Sequence, residues 1–163
     1  MKADVQKEHL WLQKLNGDWS FEAECSMGPD QPPHKSTGTQ TVRSLGGLWS
    51  VCEGDGEAPD GSKVKTIITL GYDPQKQRFV GSFIASCMTY LWPYEGTLTD
   101  NLLTLDTEGP CFSGNGKMVK YQDIVEIVDD DHWTLRSRMP SEDGKWIDFM
   151  EAHYTRRKQQ KAA

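Results

Sequence analysis

KVKTIITLGYD (Lys63 to Asp73), followed by PQKQ and then RFVGSFIASC (Arg78 to Cys87), is the stretch that decides the fold. In its first segment Val64, Thr66, Ile68, Leu70 and Tyr72 share one face, and Lys65, Ile67, Thr69 and Gly71 share the other. A period of two belongs to a β-strand. Ile67 is the exception, an apolar residue on the more polar side. Asp73-Pro74 starts a turn. In the second segment Phe79, Gly81, Phe83, Ala85 and Cys87 lie opposite Arg78, Val80, Ser82, Ile84 and Ser86, so both faces are apolar. The two segments read as neighbouring antiparallel strands in a wall with an inside and an outside. The second apolar face predicts packing against an exterior feature, for which the amino-terminal helix is the candidate.

Outward from this hairpin the same rhythm continues. Ten strands are expected: Asp18 to Met27, Ser36 to Leu45, Leu48 to Glu53, Lys63 to Asp73, Arg78 to Cys87, Tyr94 to Thr99, Leu102 to Thr107, Lys117 to Asp129, His132 to Met139 and Lys145 to Arg156. Turn residues separate most of them: Gly46-Gly47, Pro59-Asp60-Gly61, Asp100-Asn101, Asp129 to Asp131 and Glu142-Asp143-Gly144. Only Asp4 to Leu15 has helical character, with Val5, Leu10, Trp11, Leu12 and Leu15 mostly on one stripe, Asp4 as cap and Gly17 past the end. No repeat or linker divides the chain, which reads as a single domain over 1–163: helix 4–15, barrel 18–156 and a short basic tail 157–163.

Short connections make sequence neighbours antiparallel neighbours in space. So long an antiparallel run has two outer edges that invite association unless the sheet closes. Strands of about ten residues reach roughly 33 Å, natural for tilted barrel staves. The expected fold is an all-β, closed, antiparallel up-and-down barrel of about ten strands.

The stretches LNGDWSFEAE, STGTQTVRSLGGLW, ITLGYDPQKQRFVGSFIAS, DIVEIVDDDHWTL and MEAHYTRR together resemble the bacterial proteins grouped as domain of unknown function 1579, from about His9 to Arg157. The most specific block is Leu70-Gly71-Tyr72-Asp73 followed by Phe79. The resemblance implies a lipocalin-like, calycin-type barrel and no established activity. The chain ends also resemble the wider lipocalin pattern, in which a Gly-x-Trp on the first strand packs beneath a basic residue of the last. That pattern fits Gly17 and Trp19 with Arg156 or Arg157, and Gly17, Trp19 and Arg156 are assigned to barrel closure, with a guanidinium stacked on an indole.

The chain has 163 residues, and 18 Lys and Arg against 24 Asp and Glu give a net charge of −6, which disfavours a phosphate-backbone binder. The basic tail from Arg156 to Lys161 lacks aromatic interleaving and reads as a solvated end. The amino terminus has no apolar middle of a secretory signal and no stretch is long enough to span a membrane as a helix, so a cytoplasmic protein is expected. Cys25, Cys52, Cys87 and Cys111 are too widely spaced for a zinc knuckle or redox pair and read as reduced structural thiols, with a Cys87–Cys111 bridge left open.

A ten-stranded barrel is wider than the eight-stranded kind that holds one small ligand. A pocket is therefore expected, lined by Trp49, Tyr72, Phe83, Tyr90, Trp92, Tyr121, Trp133, Trp146 and Met150, with Met88 and Met139 as further candidates. Six Trp, six Met and five Tyr supply that lining, and Met tolerates varied guests. No elbow serine, phosphate-cradling glycine loop or His-Glu-x-x-His helix is present, so no catalytic residue is assigned. No metal set is assigned either, because the His132 turn and the Asp55 to Asp60 loop lack completing ligands.

The first reading is a non-catalytic binder of a small hydrophobic molecule. The second is an enzyme using inward carboxylates, Asp123, Asp148 or Glu151, with His153; Arg136, Arg138 and Lys120 are the basic residues that would otherwise pair with such carboxylates. The third is a module that dimerises through its strand faces. Haem is weighed through His153, because calycin-type barrels similar to this one include the nitrobindins, which hold haem by a histidine near the last strand; no cofactor is assigned.

Overall fold

In the computed structural model, which describes residues 3–158 apart from Met27, Pro29 and Ser113, one helix precedes ten strands. The helix is α1 (Lys7–Gln13). The strands are β1 (Gly17–Cys25), β2 (His34–Leu45), β3 (Trp49–Glu57), β4 (Lys63–Asp73), β5 (Arg78–Ala85), β6 (Trp92–Thr99), β7 (Leu102–Pro110), β8 (Met118–Asp129), β9 (His132–Pro140) and β10 (Trp146–Arg156). Each pairs with its neighbours in sequence, and β1 pairs with β10 to close the barrel. The closing ladder runs from Trp19 opposite Arg156 to Cys25 opposite Met150. The expected closed ten-stranded barrel is therefore the observed fold.

Two strands run three or more residues further than their sequence suggests. β3 continues past Glu53 to Glu57 and β7 past Thr107 to Pro110. The extra residues read as turn chemistry, but side chains explain them. A Cβ on Gly38 or Gly54 would collide with Phe21 or Thr66, and one on Gly109 with the Trp92 ring. On the other face Asp55 and Glu57 pair with Lys65 and Lys63. The expected end of the first strand, Met27, lies outside the described residues, as do tail residues 159–163.

The two ends of the barrel differ. At one, the connections 46–48, 74–77, 100–101 and 130–131 are tight; at the other, 26–33, 58–62, 86–91, 111–117 and 141–145 are longer. The helix crosses the tight end. It starts at Lys7 rather than Asp4, because the Gln6 N–H donates to His9 Nδ1 at 2.9 Å and ends the extended backbone there. His9, Trp11, Leu12 and Leu15 are buried, whereas Val5 and Leu10 stay exposed. Trp11 meets Phe79 edge-on with centroids 6.1 Å apart, and His9 Nε2 lies 3.2 Å from the Tyr72 carbonyl oxygen. The helix is thus a stopper. It does not cover the outer face of β4 and β5, where Ile67 and Ile84 remain 37% and 41% exposed.

Trp19, 1% exposed, fills the space beside the stopper. Its Nε1–H donates to the Leu15 carbonyl at 2.8 Å, and the Arg156 guanidinium lies 4.1 Å over its ring. Arg156 also donates to the carbonyls of Asn16 at 2.7 Å and Asp130 at 2.8 Å. Gly17, at φ +134°, leaves the room that this guanidinium occupies. The closing partner is therefore Arg156 rather than Arg157.

Candidate functional site

Register separates inside from outside. Trp19, Phe21 and Ala23 stand opposite Gln40, Gly38 and Ser36 on one side and Arg156, Tyr154 and Ala152 on the other. In a closed wall, an inward side chain meets solvent only from the interior. Trp19, Leu70, Leu103 and Leu105 are almost wholly buried and fill the closed half. Phe21, Ala23, Ile68, Phe83 and Met150 are only partly buried although they face inward. Their residual exposure outlines a cup that opens at the end with the longer connections.

One side of the cup is aromatic. Trp92 meets Tyr121 and Tyr90 edge-on, each at 5.2 Å between centroids. Phe112 touches both Tyr121 and Phe149. Polar ends are held at the rim: Tyr121 donates to the Pro110 carbonyl and Tyr90 to the Glu108 carbonyl, each at 3.0 Å. Such rings present apolar faces with their hydroxyls already satisfied.

Of the lining expected from sequence, the structure brings Phe83, Tyr90, Trp92, Tyr121 and Met150 around the open half. Trp133 lies deeper, stacked on Tyr154 with centroids 3.6 Å apart. Tyr72 sits beneath the helix against His9 and Phe79 and is part of the closed end. Two expectations are corrected: Trp49 and Trp146 stand on the outer face, each 40% exposed. Trp49 lies against Gly71, and the Arg138 guanidinium lies 5.2 Å from the Trp146 ring centroid. Met88 is exposed at the rim, 39% accessible. Sequence reasoning did not select Phe21 and Ala23. The signal was present, because an inward Trp19 places both on the same face two and four residues later.

Asp123 is the one expected acid that faces inward, opposite Leu105 and Ser137. No cation among the described residues pairs with it. Ser137 Oγ donates to its Oδ1 at 2.5 Å and the Tyr94 hydroxyl donates to Oδ2. Burial pushes the carboxyl above its usual range, a shift those two donors oppose. Burial and the nearby Asp123 also push Tyr94 well up. Arg136 and Arg138, expected as its partners, face outward, toward Asp148 at 3.6 Å and Gln122 at 2.9 Å. Beside Asp123 lies a cavity of about 10 Å³, bounded also by Leu15, Cys52, Ile68, Tyr94 and Trp133.

His153, Asp148 and Glu151 do not join Asp123. His153 is 64% exposed, 3.4 Å from Glu151 on the outer face. Asp123 and His153 therefore stand on opposite sides of the wall, so the acid–base constellation is not assembled and His153 does not present its ring to an interior haem. His153, Asp148 and Glu151 border a trough of about 720 Å³ beside the 26–33 connection, together with Glu22, Glu24 and Lys35 of the outer face and with Ala23, Ser36 and Phe149 of the inner wall and cup. Among the described residues no group of three or more His, Cys, Asp or Glu side chains is placed to hold a metal. Cys25, Cys52 and Cys87 are free thiols. No helix among the described residues is long and apolar enough to cross a membrane.

The fold is shared with solved structures at low sequence identity. The crystal structure of Rv2717c from M. tuberculosis superposes with a TM-score of 0.63 at 15% identity, covering 95% of this chain and 100% of that one. The structure of EF1p2_mFAP2b bound to DFHBI superposes with a TM-score of 0.51 at 11% identity, covering 91% and 98%. No curated protein sequence matches. Residues 4–156 match the family described as protein of unknown function (DUF1579), and the chain belongs to that family.

Proposed function

We propose that the barrel binds a small hydrophobic molecule through its open end and performs no chemistry on it. The observation that carries this reading is the residual exposure of Phe21, Ala23, Ile68, Phe83 and Met150, inward-facing apolar residues of a closed wall. A concave, mostly apolar surface with few polar groups is the usual form of a small-molecule site. EF1p2_mFAP2b, a barrel of similar fold, is bound to DFHBI, which supports the capacity of such a wall to take a small guest. Against chemistry stands the separation of Asp123 from His153 and Glu151. A cytoplasmic location accords with the free thiols of Cys25, Cys52 and Cys87.

Native mass spectrometry of freshly purified protein should reveal a discrete small-molecule adduct that denaturation releases. Titration with a series of apolar aromatic probes supplies the contrary result: if none perturbs the NMR signals of Phe21, Phe83 or Met150, the reading falls.

A homodimeric module is the second reading, and one observation favours it. Leu45, Trp49, Ile67 and Ile84 are exposed on the outer face of β2 to β5, and contiguous exposed apolar surface marks interaction sites. Sedimentation equilibrium distinguishes it, because a monomer at the highest attainable concentration removes it.

A further inference from the structure

We infer that Phe21 decides how large a guest the cup admits, and that Gly38 and Gly56 position its ring against the wall. The inference rests on the small-molecule reading above and adds to it the residue that sets guest size. Three observations carry it.

The first is the wall itself. Between the rim pair Cys25 and His34 and the buried Trp19 and Gln40, the inward positions of β1 and β2 are Phe21, Ala23, Ser36 and Gly38. On β3 the neighbouring inward positions are Gly54, opposite Gln40, and Gly56. Phe21 is the one ring in this group of small residues. In a closed ring of ten strands, β6, β7 and β8 lie across the lumen from β1, β2 and β3. That far wall carries Trp92 and Tyr121, which hold each other edge-on at 5.2 Å. A guest therefore lies between a wall of mutually packed rings and a wall whose one large side chain is Phe21.

The second is the seat of the ring. The Phe21 side chain runs sideways from β1 over Gly38 of β2 to Gly56 of β3. A Cβ at Gly38 would fall on the ring and on the Asp55 carbonyl, and one at Gly56 would stand 3.1 Å from Phe21 Cζ. On its other side the ring meets Tyr154, with centroids 5.4 Å apart. Glycine weakens a strand and often marks such a close approach. Here two of them leave a niche into which the ring is folded.

The third is exposure. Trp19, two residues earlier on the same face, is 1% exposed. Phe21 is only partly buried although the wall around it is closed, so its free surface belongs to the cup. A ring that served only to fill the core would be sealed as Trp19 is.

Ring position thus governs the width of the cup. While Gly38 and Gly56 are bare, the ring stays at the wall. A side chain in the niche turns the ring into the lumen, where it displaces the guest. Removing the ring instead opens the niche to the cup and makes room for a larger guest.

The test titrates naphthalene and the larger pyrene, followed by fluorescence, into full-length wild type, Gly56→Val, Phe21→Ala and the double variant. Gly56 is the position to change, because a Cβ there meets Phe21 alone, whereas one at Gly38 also strikes backbone. Gly56→Val is expected to bind naphthalene at least about fivefold more weakly than wild type, the scale of overpacking a filled space. Once Phe21 is alanine, the same substitution should change that affinity less than about twofold. Phe21→Ala should raise the affinity for pyrene relative to naphthalene at least about fivefold, because more apolar surface finds cover. Naphthalene bound as tightly by Gly56→Val as by wild type overturns the inference. So does a loss that persists in full in the double variant, because the substitution then acts without the ring, and so does an unchanged ratio of pyrene to naphthalene affinity in Phe21→Ala. A further readout needs no variant to fold. In the wild-type protein, bound naphthalene should give nuclear Overhauser contacts to the Phe21 ring protons, and a bound complex without them overturns the inference. Each of these failures leaves the small-molecule reading standing, whereas failure of every probe to bind the wild-type protein overturns both.

Discussion

Trp19 carries more of the closed end than any neighbour, because one side chain fills the floor, donates to Leu15 and lies under Arg156. Trp19→Ala removes a fully buried indole and is expected to cost about 3–5 kcal/mol, read from urea denaturation. Stability within error of wild type contradicts the closure role. This pair was legible because a Gly-x-Trp at one end and a basic residue at the other stand out in the sequence. The partners of Asp123 were not legible. Arg136 and Arg138 lie in an adjacent strand, but Trp133, Leu135 and Ser137 occupy its inward positions, so parity sends both arginines outside. The donors are instead Ser137 and Tyr94, the latter from a strand that is not a neighbour in the sheet.

Two titratable groups give tests at the same scale. Burial raises the Asp123 carboxyl above its ordinary value of 3.8, so the folded protein holds that proton more tightly than the unfolded chain. Its contribution to stability is complete below the ordinary value and is lost as pH rises through the raised one. The stability of wild type relative to Asp123→Asn should therefore decline between acid and neutral pH in denaturation series. A difference that grows in favour of wild type with rising pH contradicts the assignment. Burial pushes the Cys52 thiol up to about 12, whereas Cys87 is exposed. Under native conditions a thiol reagent should modify Cys87 readily and Cys52 only after unfolding; equal rates would place Cys52 outside the core.

At the level of elements, α1 is a stopper whose two faces differ sharply. Leu12 is 1% exposed and Leu10 is 57% exposed. Leu12→Ala should cost about 2–5 kcal/mol, and Leu10→Ala no more than about 0.5 kcal/mol. Comparable losses for both would mean that the helix packs elsewhere. Its amphipathic spacing was readable, but its docking site was not. Apolar residues on both faces of β5 suggested a helix on the outer wall, while Phe79 and Tyr72 draw Trp11 and His9 to the end of the barrel. The last strand shows a second limit. Register shifts between Asp148 and Met150, and one bulged residue resets alternation. Phe149 consequently reaches Phe112 and Tyr121 at the cup, while Glu151 and His153, two and four residues on, face solvent. Strict alternation places all three on one face, so no count of odd and even positions reveals that His153 faces solvent.

For the whole molecule, closure was legible before any pairing was known, because short connections leave ten antiparallel strands with two edges to protect. The ladder that protects them joins β1 to β10, the most distant segments of the barrel. Such long-range pairing makes folding slow compared with helical domains of similar size. How far the interior is filled was less legible. Composition gives the number of aromatic rings, but only register shows that two tryptophans lie outside and that small residues, Ala23, Ser36 and Gly38, widen one wall. Adjacent residues of one strand provide the most direct test. Ile68 faces the interior and Ile67 the outside. With isoleucine methyl groups labelled, naphthalene titrated into the protein is expected to shift the Ile68 signals and leave those of Ile67 unmoved. Shifts at Ile67 with Ile68 silent would place binding on the outer wall and contradict a guest inside the barrel.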